Sequence, residues 1–278
     1  MNLPPFVLYR PQRLDEALDL LAKFDEDAAF YMGGTELLLL MKLGFAQPGH
    51  LIDGKGLSAI SRLSVDADTI SIGAGVTHRR LEQHGDVRRI LPALSALERH
   101  VANVRVRNAG TIGGNLCFAE PHSDPVTLLI ALGATVHLAS INGVRQIPLE
   151  DFWQGAFSTA LTPGEIMVNI SVPVPHEGTL VGYERLAFQE RPTVAAAVVL
   201  GEGSCNVLVG ALGARPLRIP DAERILTDSS GSDIEGAVKA VMETVAAQDS
   251  AEGADYRSHL AGVMVRRTFE AAAAGARP

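Results

Sequence analysis

The sequence predicts an α+β protein with two domains, the first of alternating helices and strands and the second with a short antiparallel sheet covered by helices. Helical and extended patterns alternate through residues 1–175, whereas three strand patterns precede two helical patterns in residues 176–278. Between the halves lies VPVPHEG, whose Pro173 and Pro175 favour a boundary. With 278 residues and 47% hydrophobic side chains, the chain can bury more than one core.

The first domain begins with an amphipathic helix, because Leu14, Ala17, Leu18 and Leu21 recur at helical spacing. The patterns that follow predict strands over 28–32, 50–53, 69–73, 135–139, 144–148 and 166–172, and helices over 35–43, 90–100 and 124–132, with another helix after Thr77. In the second domain, strands over 180–188, 194–200 and 206–212 form a three-stranded antiparallel meander, and helices over 234–247 and 256–274 cover it.

Composition excludes several classes of protein. A net charge of -8 without a run of like charges offers no surface for nucleic acid. The longest apolar stretches fall short of the ~20 residues that cross a bilayer, and the N-terminus lacks the features of a secretion signal. We therefore expect a cytoplasmic protein without a transmembrane segment. Two cysteines, Cys117 and Cys205, are too few for an iron–sulfur or thiolate zinc site. Any redox chemistry of this chain therefore requires a bound organic cofactor or a partner protein's metal centre.

Two glycine-rich segments carry the strongest functional signal. The first glycine loop, residues 33–37 (GGTEL), lies between a strand and a helix, where free N–H groups can bind an anion. The second glycine loop, residues 108–115 (NAGTIGGN), has enough glycine to form a backbone nest around a phosphate. Together the loops could hold a pyrophosphate. The alternative interpretation of each is a tight turn without a ligand.

Other motifs give less support. The segment beginning at Gly73 has His78 where a dinucleotide fingerprint requires its third glycine, and residues 49–55 lack the Ser or Thr that follows the lysine of a P-loop. Glu120, His122 and Asp124 alternate and could converge on a metal, but an N-cap explains Asp124 equally well. With neither HExxH nor GxSxG in the sequence, we predict no metal site and no catalytic side chain.

Three segments, YMGGTELLLLMKLG (31–44), ISIGAGVTHRRLE (70–82) and VRNAGTIGGNLCFAEPHSDPVTLLIALGATV (106–136), make the chain resemble a known family. It is similar to the FAD-binding medium subunit of molybdenum hydroxylases, the group of the xanthine dehydrogenases and aerobic carbon monoxide dehydrogenases. GEIMVNISVP (164–173), GYERLAF (182–188) and YRSHLAGVMVRRTFEAA (256–272) extend the resemblance over nearly the whole chain.

The resemblance implies a vanillyl-alcohol-oxidase (PCMH)-type fold, with two α/β subdomains at about 1–55 and 56–175 holding non-covalent FAD and a C-terminal domain at 176–278. It also implies a complex, a dimer of heterotrimers. In the family, a large subunit carries the molybdenum cofactor, a small subunit carries two [2Fe–2S] clusters, and this subunit's FAD passes electrons to NAD, quinone or oxygen.

The resemblance further implies which residues contact the cofactor. Glu36 departs from relatives that have Asp, Gln or Ser, and Thr193 stands near a position that is often aromatic and shields the flavin. Two alternatives stay open: a self-contained FAD oxidase of the same fold, whose flavin Cys117 could bind covalently, and an assembly protein without cofactor. The residues expected to contact FAD are Met32, Gly33, Gly34, Thr35, Glu36, Val101, Gly110, Thr111, Ile112, Gly113, Gly114, Asn115, Asp124, Met167, Tyr183 and Arg185.

Overall fold

Three main sheets of three, five and four strands organise the fold. The computed structural model describes residues 2–248 and 253–275. Helices flank each sheet, and the predicted α+β class is confirmed. Within those residues, no helix combines the length and the apolar character that a membrane span requires.

The N-terminal sheet is parallel, with strands in the order β1-β3-β2. Helix α1 buries Ala17, Leu18 and Leu21 near it, as the helical spacing predicts. Strand β1 has no signal in the sequence, because its three residues are mostly exposed. The elements are β1 (Val7–Tyr9), α1 (Leu14–Phe24), β2 (Ala28–Tyr31), α2 (Leu37–Leu43) and β3 (His50–Asp53).

The second sheet is antiparallel, in the order β4-β5-β10-β6-β7, and seven helices accompany it in the described chain. The helix predicted over 90–100 begins at Pro92, since proline fits the first turn of a helix. The elements are β4 (Leu63–Val65), β5 (Thr69–Gly73), α3 (His78–Gln83), α4 (Gly85–Ile90), α5 (Pro92–His100), α6 (Val104–Ala109), α7 (Ile112–Phe118), α8 (Asp124–Ala131), β6 (Thr135–Ser140), β7 (Gly143–Pro148), α9 (Leu149–Phe152) and β10 (Ile166–Pro173). Between α9 and β10, β8 (Trp153–Gly155) and β9 (Ser158–Thr159) form a separate two-stranded sheet.

The C-terminal sheet contains the three predicted antiparallel strands and a fourth that extends the predicted meander. This fourth strand is only two residues long, too short to produce an alternating pattern. A short helix that the sequence patterns do not predict follows it. The elements are β11 (Leu180–Leu186), β12 (Val194–Gly201), β13 (Ser204–Gly210), β14 (Leu217–Arg218), α10 (Pro220–Asp228), α11 (Ile234–Gln248) and α12 (Ala254–Gly275).

The C-terminal sheet shares a hydrophobic core with the part of the chain that precedes it. Ala197 and Leu208 belong to the same buried cluster as Leu128 of α8. At Gly210, a Cβ atom would lie 2.1 Å from the hydroxyl oxygen of Thr127, so β13 packs closely on α8. The other face of β12 lies in a second core with residues of α10, α11 and α12. This packing places β11 beside the start of α8, where the candidate site lies.

Candidate cofactor site

The first glycine loop connects β2 to α2. Gly34 has a φ of +68°, a left-handed conformation that glycine adopts without strain. Helical hydrogen bonding begins with the N–H of Leu38, which donates to the Gly34 carbonyl. Across residues 2–248 and 253–275, no protein group accepts a hydrogen bond from the amides of residues 33–36. Four successive N–H groups at the start of a helix are therefore available to an anion.

The second glycine loop is more regular than the sequence predicts. It consists of the end of α6, a two-residue connection and the start of α7, where the Thr111 hydroxyl accepts from the Gly114 N–H at 3.1 Å. The Ile112 and Gly113 amides donate to the carbonyls of Val76 and Ala74, and the Asn115 amide donates to that of Thr111. Because these amides already have acceptors, the free anion-binding amides belong to the first loop, and the predicted second backbone nest is not present in this form.

The two glycine loops are in direct contact. A Cβ atom on Gly33 would lie 2.2 Å from the Ala109 carbonyl oxygen and 2.7 Å from the Gly110 Cα. A Cβ atom on Gly110 would lie 3.4 Å from the Thr35 hydroxyl oxygen. Glycine at position 33 lets the two backbones pack at a distance that a side chain would prevent, whereas the contact of Gly110 with Thr35 is at an ordinary van der Waals distance. The free amides of the first loop are thus held beside the start of α7.

Three predicted residues meet at the boundary between α8 and the C-terminal sheet. The Tyr183 hydroxyl donates to Asp124 Oδ1 at 2.7 Å, and Arg185 Nη1 donates to Oδ2 at 2.6 Å. Burial raises the pKa of Asp124, against the opposing effects of Tyr183 and Arg185. Asp124 is the first residue of α8, whereas Ser123 occupies the N-cap position, so the simple N-cap interpretation is wrong. The Asp124 carboxylate instead joins α8 to β11.

The alternation of Glu120, His122 and Asp124 does not bring the three side chains to one point. Asp124 is turned toward β11, and Glu120 Oε1 lies 3.0 Å from the Nδ1 atom of His122. In the part of the chain that the structure describes, no group of three His, Cys, Asp or Glu side chains is arranged to hold a metal ion.

The remaining predicted residues divide into open and buried positions. Gly114 is exposed on α7, and the Asn115 side-chain oxygen accepts from the Ser123 hydroxyl at 2.6 Å. Val101 and Met167, expected to border the flavin, are packed in the main hydrophobic core, as are Ile112 and the backbone of Gly113. Little of the surface of these four residues is therefore accessible to a ligand.

Two basic side chains near the site are absent from the sequence prediction. Lys55 Nζ lies 3.4 Å from the Met32 carbonyl oxygen and 3.7 Å from the centre of the Tyr31 ring. Arg191 contacts Glu36 of the first glycine loop. Lys55 occurs in the sequence only as the lysine of the incomplete P-loop match over 49–55, and Arg191 belongs to no motif. Each side chain reaches the loop from a distant part of the chain.

FAD fits this donor set. Its pyrophosphate is an anion, and the row of free amides at residues 33–36 together with the nearby Lys55 ammonium is a donor set of the kind that phosphates require. The space beside Gly114 is open, since a Cβ atom there would approach only the Thr111 hydroxyl, at 3.0 Å. Burial raises the pKa of the Cys117 thiol to about 12, which makes it a poor nucleophile for covalent attachment of a flavin.

Comparisons with known proteins cover almost the whole chain. The family described as "FAD binding domain in molybdopterin dehydrogenase" matches residues 4–175, and the family described as "CO dehydrogenase flavoprotein C-terminal domain" matches residues 191–272. The carbon monoxide dehydrogenase medium chain of Afipia carboxidovorans is 32% identical, over 98% of each chain.

Solved structures show the same similarity. Carbon monoxide dehydrogenase from Hydrogenophaga pseudoflava, in a form that lacks the Mo-pyranopterin moiety, matches with a TM-score of 0.91 and 33% identity over 99% of both chains. Quinoline 2-oxidoreductase from Pseudomonas putida 86 matches with a TM-score of 0.90 and 30% identity, again over 99% of both chains. The similarity therefore extends through both the N-terminal sheets and the C-terminal sheet.

Proposed function

Because this chain belongs to the family of FAD-binding subunits of the molybdopterin dehydrogenases, or molybdenum hydroxylases, we propose that its FAD carries electrons between partner subunits and an external acceptor. The partners would be a small subunit with two [2Fe–2S] clusters and a large subunit with the molybdenum cofactor, assembled as a dimer of heterotrimers in the cytoplasm. The division at residue 175, with subdomains at about 1–55 and 56–175 and a C-terminal domain at 176–278, belongs to the same proposal.

The observation that carries this proposal is the row of unpaired amides at residues 33–36, held against the start of α7. In a turn that served only the fold, most amides would be expected to donate to protein acceptors, or the turn would project into solvent without close contact to another segment. Here the close contact between Gly33 and Ala109 fixes the row while leaving its N–H groups unpaired. This arrangement supports pyrophosphate binding by the first glycine loop.

Bound FAD would supply the capacity to accept and release electrons, which no amino-acid side chain in this chain offers. The chain's own residues would bind and orient it. The amides of residues 33–36 would hold the pyrophosphate, with the charge of Lys55 nearby, and Gly114 would leave room along α7. Asp124, Tyr183 and Arg185 would keep the C-terminal sheet in place beside the cofactor.

The first prediction distinguishes this subunit from a self-contained oxidase with covalently attached flavin. Acid precipitation is expected to leave the protein pellet colourless and to release a yellow flavin that chromatography identifies as FAD. The reason is that burial raises the pKa of the Cys117 thiol, which leaves little of the thiolate that covalent attachment of a flavin requires. Flavin retained in the pellet would favour the oxidase, and FMN would contradict the pyrophosphate role of the first glycine loop.

A second prediction concerns the direction of electron flow. Coexpression with iron–sulfur and molybdenum subunits of this family is expected to yield one complex whose flavin absorbance is bleached by the substrate of the complex under anaerobic conditions. The isolated chain should keep its flavin oxidised with the same substrate, because it lacks the site where substrate electrons enter. Turnover of an organic substrate by the isolated chain would contradict the proposal, and a complex purified without any flavin would support the assembly-protein alternative.

A further inference from the structure

One guanidinium from the C-terminal sheet stands beside the first glycine loop. Arg191 lies in the segment that joins β11 to β12. Its Nη2 atom is 3.6 Å from Glu36 Oε1, and its Nη1 atom is 3.3 Å from Glu120 Oε1. Glu36 ends the row of free amides, and Glu120 is the second residue after α7, so a carboxylate from each side of the candidate site meets the same cation.

The position of Glu36 creates an electrostatic conflict. A carboxylate next to amides that bind a pyrophosphate repels the ligand, and this repulsion is stronger in a partly solvated site than in bulk water and weakens as salt is raised. Glu120 adds a second negative charge nearby, where its side chain is largely buried. The Lys55 ammonium is itself paired with Asp53 at 3.1 Å, so an anion site with two such neighbours needs a further cation.

Arg191 is held where it can act as that cation. Within its segment, the Glu190 carbonyl accepts from Arg185 Nη1 at 3.2 Å, and the Glu190 carboxylate accepts from Asn103 Nδ2 at 3.2 Å. The Thr193 N–H donates to the Leu186 carbonyl at 2.8 Å. These bonds restrict the segment, so less conformational freedom is lost when Arg191 pairs with the two carboxylates.

We infer that Arg191 is a positioning residue for FAD: by neutralising Glu36 and Glu120, it allows the amides of the first glycine loop to hold the pyrophosphate. The inference rests on the FAD site of the proposed function and adds a residue of the C-terminal sheet to it. It assigns Arg191 an action through Glu36 and Glu120, not a bond to the cofactor.

The test is a titration of the full-length chain, stripped of flavin by acid and refolded, with FAD at low salt. Arg191→Gln is expected to weaken FAD binding by about two- to fivefold, the range of a partly exposed charge pair. Arg191→Lys should retain most of the affinity. Replacing both carboxylates, with Glu36→Gln and Glu120→Gln added to Arg191→Gln, should return the affinity to that of the wild type, because neither repulsive charge then remains. The effect of Arg191→Gln should shrink as salt is raised.

The matched control is Arg224→Gln, which removes the same charge from α10, where Arg224 pairs with Asp221 and Asp228. It should bind FAD as the wild type does. Wild-type affinity in Arg191→Gln would overturn the inference, and so would a loss that persists when both Glu36 and Glu120 are replaced by Gln, since that result would mean a direct contact with the ligand. A wild-type chain that fails to bind FAD would contradict the proposed function and, with it, this inference.

Discussion

Replacing Gly33 with alanine is expected to remove most of the FAD from the purified protein, to less than about a tenth of the wild-type content, and to lower its stability by about 2 kcal/mol or more. The added Cβ atom would lie 2.2 Å from the Ala109 carbonyl oxygen and 2.7 Å from the Gly110 Cα. Backbone atoms cannot rotate away as the end of a long side chain can, so the two glycine loops would have to separate. Flavin per protomer and thermal unfolding measure the two effects.

Two other glycine variants separate loop packing from cofactor contact. Gly85→Ala adds a Cβ atom in α4 that would have no other atom within 4 Å. This variant should therefore keep the flavin content and the stability of the wild type. Gly114→Val puts a branched side chain on the exposed side of α7 and should reduce flavin content while circular dichroism still reports a folded chain. Full flavin occupancy and an unchanged melting temperature in Gly33→Ala would show that contact between the loops is irrelevant to the site.

Asp124→Ala is expected to lower the free energy of unfolding by about 3 kcal/mol, because it leaves the largely buried Arg185 guanidinium without its carboxylate. The Tyr183 hydroxyl loses its acceptor at the same time. For a chain of this size, the loss corresponds to a melting temperature lower by about 6–12 °C. Thermal and denaturant unfolding measure it.

The smaller change Tyr183→Phe removes one hydrogen bond and keeps the ion pair, so it should cost about 1 kcal/mol. Asp221→Ala removes the carboxylate of an exposed pair with Arg224 and should change stability by less than about 0.5 kcal/mol. An Asp124→Ala protein as stable as the Asp221→Ala control would mean that the cluster does not join α8 to β11.

Local sequence patterns identified most of the regular elements. The strands over 50–53 and 69–73 have the predicted bounds, because short apolar runs are read directly from residues that are neighbours in the chain. The hydroxyl of Thr77 caps α3, as a helix start after this residue predicts. In the C-terminal sheet, β12 was evident from its run of Val and Ala, since a strand buried on both faces needs apolar residues at every position.

Pairings between distant segments were beyond local patterns. Strand β10 lies between β5 and β6, and nothing within residues 166–173 specifies those neighbours. The second glycine loop shows the same difficulty on a smaller scale. Its glycines are compatible with a nest or with the start of a helix, and the acceptors that decide between them are the carbonyls of Ala74 and Val76, more than 30 residues earlier.

The sequence alone determined the α+β class, the two glycine-rich segments and, through resemblance, the family. The tertiary structure decided which glycine amides remain free and what each glycine contacts. A glycine in a sequence does not show which neighbouring atom would clash with a side chain, because that atom can come from a distant part of the chain. It also brought Lys55 and Arg191 to the first glycine loop. Electrostatic interactions depend on distance in space, and those distances exist only once the sheets have packed on one another.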